Sequence, residues 1–168
     1  MELSTATDII RTLAIVIGLV LGLIELRQAR VARKRENMFS LVSAYQIPEF
    51  WSALEKVFRM PNNLSRKKVA AYFGKDRHML SLLISTFESL GILVQKREID
   101  ISIVEDFFSG AIVISWNKLK RSAEDSRREQ GRETLDEWFQ WLAERIMERE
   151  KRKNPIPAHI EFKNWKSR

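Results

Sequence analysis

Thr12–Ile24 reads TLAIVIGLVLGLI, thirteen uncharged residues in a chain of 168 that is 30% charged. Extended to Ile9 and Leu26, the apolar segment is 18 residues long, interrupted only by Arg11 and Glu25 near its ends. As a helix it would span about 27 Å, close to the roughly 30 Å hydrocarbon core of a bilayer. Arg11 and Glu25 lie near enough to the edges to reach the headgroups. The segment predicts a single N-terminal transmembrane helix.

Three other readings fit less well. A cleaved signal peptide has a basic start and a small-residue cleavage site, whereas this chain begins Met-Glu-Leu-Ser and its arginines follow the apolar run. A buried helix of a water-soluble core, or a helix lying in the membrane surface, carries a polar stripe, and Thr12–Ile24 has none.

Charge sets the expected orientation. The segment before Arg27 carries Arg11 against Glu2, Asp8 and Glu25. Just after it, Arg27, Arg30, Arg33, Lys34 and Arg35 fall within nine residues. Basic residues beside a spanning helix stay on the cytoplasmic side, so the short N-terminus should face outward and the remainder should be cytoplasmic. The same five residues are the expected contacts to anionic lipid headgroups. Inside the segment Ala14, Gly18 and Gly22 recur every four residues. That spacing lines small side chains on one face, where a second helix can approach closely. The second helix could be another copy of the chain or a foreign membrane partner.

The net charge of +7 leans toward the membrane-proximal half, where lipid is the plain explanation. Nucleic-acid binding is the sharper alternative and is not the expectation. The chain has no cysteine, which excludes disulfides, thiolate metal sites and cysteine nucleophiles.

Beyond the anchor the periodicity is helical. Arg27 to about Tyr45 continues as a basic juxtamembrane helix, with Phe39, Val42 and Tyr45 forming a partial apolar face. Pro48 ends it and opens the next helix, Pro48 to Met60, with Phe50, Trp51, Leu54, Val57 and Phe58 facing inward. After the break at Pro61-Asn62-Asn63, Ser65 caps a short helix that ends at Gly74. The strongest core pattern runs from Asp76 to Gln95 through Leu80, Leu83, Ile84, Phe87, Leu90 and Val94, with Gly91 on the same face allowing close packing. Residues 99–108 read either as an alternating strand or as a helix capped by Asp100. Helix is preferred, because no second strand pattern is nearby to pair with it. Gly110 is expected to end it. A further helix from Ala111 to Arg128 buries Ile112, Val113, Trp116, Leu119 and Ala123. Thr134 and Glu137 form a capping box for the last helix, which buries Leu135, Trp138, Phe139, Leu142 and Ile146. Pro155 and Pro157 close it, and Ala158–Arg168 should be loose.

The expected architecture is therefore all-α: an N-terminal transmembrane anchor (1–26), a basic juxtamembrane helix (27–47), a small cytoplasmic helical bundle (48–154) and a basic tail (155–168).

Six glycines form no phosphate-binding loop of the dinucleotide or Walker kind. His78 and His159, the only histidines, have no partner at metalloprotease spacing. Asp100, Glu105 and Asp106 fit a helix N-terminus better than a metal site. A helix–turn–helix reader is excluded by the absence of any basic residue over 101–108. No catalytic, cofactor-binding or metal-binding residue is expected, and no cofactor. Of five tryptophans, Trp51, Trp116 and Trp138 are expected in the core. Trp141, one step off the Trp138 face, and Trp165, in the basic tail with Phe162, are the candidate partner contacts.

The pattern FESLGILVQKREIDISIVEDFFSGAIVISWNKLK, then SRRE and LDEWFQWLAER, resembles an uncharacterised family of small, mostly bacterial, single-pass membrane-anchored proteins. The shared features are Glu88, Gly91, Ile99–Phe108, Trp116, Arg127 and Trp138–Ala143. The resemblance implies one N-terminal spanning helix, a basic juxtamembrane helix and a helical domain of unknown function. It implies no activity or cofactor.

Together these readings predict a non-enzymatic membrane protein whose helical domain binds other proteins, as accessory subunit or adaptor. The alternative is a membrane effector or sensor of an anionic ligand, a nucleotide signal or nucleic acid, read by Lys56, Arg59, Arg66, Lys67, Lys68, Lys75 and Arg77.

Overall fold

Phe87 stands at the centre of the core. Its ring meets Phe50 edge-on at 5.9 Å and Phe139 at 5.0 Å, and Trp116 closes the cluster edge-on to Phe139 at 5.3 Å. These four aromatics come from four different helices, so one cluster ties most of the bundle together. The computed structural model describes residues 15–29, 47–153 and 156–166, and every regular element among them is helical.

The chain divides into two units, Met1–Val42 and Ser43–Arg168. In the first, residues 15–29 form helix α1. Its large apolar side chains, Ile15 to Leu26, are 45–65% exposed on every side. Ala14, Arg30, Arg33, Lys34 and Arg35, with the rest of the expected juxtamembrane helix through Tyr45, lie outside the described residues.

The second unit contains α2 (Pro48–Arg59), α3 (Arg66–Phe73), a single 3-10 turn (Gly74–Asp76), α4 (Arg77–Gln95), α5 (Ile101–Gln130), α6 (Glu137–Lys153) and the short α7 (Ala158–Glu161). Pro48 opens α2, as expected of a residue with no N–H to leave unpaired. Phe50, Leu54 and Val57 are buried, but Trp51 and Phe58 are not. They flank the buried face, and the inward stripe is narrower than their apolarity suggests.

α4 packs most extensively on α6, and α5 on α6. Arg66–Gln95, comprising α3, the 3-10 turn and α4, is the one stretch among the described residues long and apolar enough to cross a membrane. It is not N-terminal. Its Leu83, Phe87 and Leu90 are at most 1% exposed and pack within the second unit, which makes α4 that unit's central helix.

Asp100 caps α5 as the helical reading requires, its carboxylate accepting from Ser102 N at 2.9 Å. The expected break at Gly110 does not occur, and α5 is one helix of 30 residues. A glycine inside a helix costs only about 1 kcal/mol relative to alanine. Phe108 and Ile112, buried on either side of it, carry the packed face across the gap. α5 ends at Gly131, whose φ of 61° is left-handed, a conformation glycine adopts without strain. The 158–166 stretch, expected to be loose, forms one helical turn because the Pro157 carbonyl accepts from Ile160 N and Glu161 N.

Candidate functional site

Two helix N-termini in the second unit are capped by carboxylates from other helices. The expected capping box of Thr134 and Glu137 is not made, because the Thr134 hydroxyl accepts from Arg132 Nε instead. α6 starts later, at Glu137, and leaves Leu135 and Trp138 half-buried. The free Phe139 N–H donates to Glu88 Oε1 of α4 at 2.6 Å. Ser65 likewise makes no side-chain cap on α3, and Arg66 N donates to Asp125 Oδ2 of α5 at 3.1 Å. Each carboxylate faces the positive end of a helix dipole while joining two elements distant in sequence.

Glu88 sits in a polar knot at the α5–α6 turn. Burial pushes its carboxyl above the usual range, and bonds from the Phe139 and Trp138 amides oppose that rise. Asp136, just before α6, is also raised by burial, with the Arg127 charge opposing. Its φ of 54° is left-handed, which costs a non-glycine residue about 1 kcal/mol or more. Arg127 braces this turn. Its Nε donates to Leu135 O at 2.8 Å and its Nη1 to Gln140 Oε1 at 2.6 Å, while Nη2 is buried without a partner. One turn of α4 beyond Glu88, Gly91 meets the α6 backbone directly. A Cβ there would lie 2.8 Å from the Trp138 carbonyl carbon and closer still to its oxygen.

Glu88, Gly91, Trp116, Arg127 and Trp138, which the resemblance links only as a sequence pattern, thus converge on the contacts that fix α6. Sequence reasoning missed the capping role of Glu88 and Asp125. Their partners lie 51 and 59 residues away, beyond any local motif.

The basic cluster over 56–77 is partly neutralised within the fold. Lys56 pairs with Asp76 at 2.7 Å and lies over the Phe73 ring, Arg59 pairs with Glu55 at 2.6 Å, and Arg66 pairs with Glu129. The Lys56 ammonium holds the Asp76 carboxyl below its usual range. Lys67, Lys68 and Lys75 are exposed. Arg66 and Arg77 line a cleft of about 210 Å³ between α3, α4 and α5, with Ser81, Ser122, Ser126 and Asp136 beside them. That is below the roughly 300–1,000 Å³ of sites that enclose a drug-sized ligand. A second groove, about 790 Å³, runs between α5, the end of α6 and the 156–162 segment, where Arg149 already holds Glu105 at 2.5 Å.

Trp116, Trp141 and Trp165 lie as expected, whereas Trp51 and Trp138 are less buried than the core positions expected of them. Trp116 is buried. Trp138 and Trp141 are half-buried and meet edge-on at 6.2 Å. Trp51, expected in the core, is 56% exposed on the same side of α2 as exposed Ile47 and Phe58. Trp165 is 72% exposed. Among the described residues no three His, Asp or Glu side chains converge so as to hold a metal ion.

The profile of a domain of unknown function, DUF4760, matches residues 12–146. The chain belongs to the DUF4760 family. The DUF4760 match opens on Thr12, the first residue of the uncharged run, and closes on Ile146, buried in α6. It therefore takes in the apolar segment together with the bundle. No curated protein and no solved structure matches the chain.

Proposed function

We propose that the chain is a non-enzymatic single-pass membrane protein. A spanning helix around Thr12–Leu26 holds a cytoplasmic helical domain that binds protein partners, as accessory subunit or adaptor of a membrane complex. The observation that carries this is α1: from Ile15 to Leu26 its large apolar side chains are 45–65% exposed all round the helix. A helix apolar on every side is stable only where hydrocarbon or protein surrounds it. The five basic residues that follow set the domain on the cytoplasmic side and contact anionic lipid. Gly18 and Gly22 have open space over their Cα atoms, which supports close approach of another membrane helix along the Ala14–Gly18–Gly22 seam.

On the domain, Ile47, Trp51 and Phe58 form an exposed apolar stripe, and Trp141 and Trp165 are further aromatic contacts. Exposed aromatic clusters are the usual anchors of protein interfaces. Purification in mild detergent should recover a stoichiometric partner or a homo-oligomer. Replacing Gly18 and Gly22 with Leu should weaken association through the membrane helix. A monomer without partners in every mild detergent contradicts the reading.

A second reading, recognition of an anionic ligand, is favoured by the cleft that joins Arg66 and Arg77 to three serines. Its size suits a small anion or one end of a larger ligand, and Asp136 on its wall opposes a high charge. Salt-dependent stabilisation of the protein by inorganic phosphate or a cyclic nucleotide, lost in Arg77→Gln, supports this reading. Absence of any anion-dependent shift refutes it.

A further inference from the structure

We propose that residues 156–166 form a second membrane contact, a short amphipathic clamp that lies in the interface of an anionic bilayer. This deepens, and rests on, the reading of the chain as membrane-anchored. The segment displays Ile156, Ile160, Phe162 and Trp165 at 57–72% exposure, with Phe107 the most exposed large apolar residues among the described residues of the second unit. Ile160 lies in the turn itself, with Ile156 just before it and Phe162 and Trp165 just after. The turn itself is closed by backbone bonds from Phe162 N to Ala158 O and from Trp165 N to Phe162 O, both 2.9 Å. Ile156 and Phe162 border the groove against α5 and the end of α6 yet stay more than half exposed, while Ile160 and Trp165 lie outside that groove's lining.

The charge pattern identifies the occupant. From Lys151 to Lys166 the sequence carries five basic residues against Glu161 alone. Lys163 and Lys166 alternate with Phe162 and Trp165 and are exposed. Aromatic rings at the headgroup level, flanked by lysines over acidic headgroups, are the chemistry of a bilayer interface. A protein groove would instead ask for a longer stripe of apolar residues. A contact of this size is weak alone. An anchored chain already holds the domain at the surface, and the high effective concentration makes a weak contact sufficient.

The absence of cysteine makes the test direct. Asn164→Cys provides a single attachment point beside Trp165 for an environment-sensitive fluorophore. The full chain is reconstituted in nanodiscs of phosphatidylcholine, with and without phosphatidylglycerol. The proposal expects the probe to be shielded from aqueous iodide and quenched by nitroxide-labelled lipid when phosphatidylglycerol is present. Lys163→Gln together with Lys166→Gln should lower the docking equilibrium about 25-fold, from about fivefold per basic residue. Phe162→Ser with Trp165→Ser should abolish docking without changing the melting temperature. A probe open to iodide in both lipids overturns the proposal. So does shielding that persists in detergent with a co-purified protein, which assigns the segment to a protein partner. Failure of the anchor reading looks different: the chain does not enter nanodiscs at all.

Discussion

Gly91→Ala tests the packing on which the domain depends. The added Cβ would sit 2.8 Å from the Trp138 carbonyl carbon and 2.9 Å from Trp138 Cβ, against an ordinary contact near 3.4 Å. The obstructing atoms are mainly backbone, so no side-chain rotation relieves them. α6 must move away from α4 by at least the 0.6 Å difference between 2.8 and 3.4 Å. A shift of that size along the Glu88 cap on Phe139 N would stretch it from 2.6 Å to about 3.2 Å, the limit of a good hydrogen bond. The Phe87–Phe139 contact would loosen with it. Overpacking costs about 1–3 kcal/mol, and weakening a bond to a charged group adds about 1–2 kcal/mol. Alanine's better helix propensity returns about 1 kcal/mol. The net expectation is a loss of about 1–4 kcal/mol, read by urea denaturation in parallel with the wild-type protein. Gly110→Ala is the control. It has the same substitution and the same helical setting, with nothing within 4 Å of the new Cβ, so it should stabilise by about 0.5–1 kcal/mol. If Gly91→Ala also stabilises, α4 and α6 do not approach as closely as described.

The raised carboxyls of Glu88 and Asp136 give a signed pH dependence. A carboxyl whose folded pKa exceeds its unfolded one favours the fold below the unfolded value, and that contribution is lost as pH rises through the folded value. Glu88→Gln keeps an acceptor for Phe139 N but cannot ionise, so denaturation midpoints from pH 4 to 8 should vary less than in the wild type, and an unchanged profile would refute this. Asp125→Ala removes the cap of α3 and should cost about 0.5–2 kcal/mol, with Asp125→Asn recovering most of it; equal losses in both would mean the cap contributes nothing. Trp51→Ser removes the edge-on contact to Phe50 at 6.2 Å and should cost about 0.5–1.5 kcal/mol while sharply reducing recovery of any partner, and undiminished recovery would refute its role as a contact.

The helices were legible in the sequence where the signal is local. Pro48 opens α2, Asp100 caps α5, and the Leu83–Phe87–Leu90–Val94 spacing marks the buried face of α4. What stayed hidden is tertiary. Gly110 looked like a terminator because its neighbours' burial cannot be read from a window. Thr134 looked like a cap because nothing local shows that α6 begins only at Glu137, with Glu88 of α4 accepting from the Phe139 amide. The basic run over 56–77 reads as a free cationic surface until Asp76 and Glu129 are brought to it by the fold. Trp51 shows the converse: its apolarity suits either a core or an interface, and one residue of helical rotation beside Phe50 decides between them.

The central claim is that residues around Thr12–Leu26 cross a membrane and leave the domain in the cytoplasm. A pair of reporters fused after Arg168, one active only in the cytoplasm and one only after export, measures this directly in intact cells. Cytoplasmic activity alone is expected for the wild-type chain. Replacing Arg27, Arg30, Arg33, Lys34 and Arg35 with Gln should yield a mixture of both, because basic residues beside a spanning helix are what hold an orientation. Activity of the exported reporter alone on the wild-type chain would contradict the account and place the domain and its partners on the opposite side.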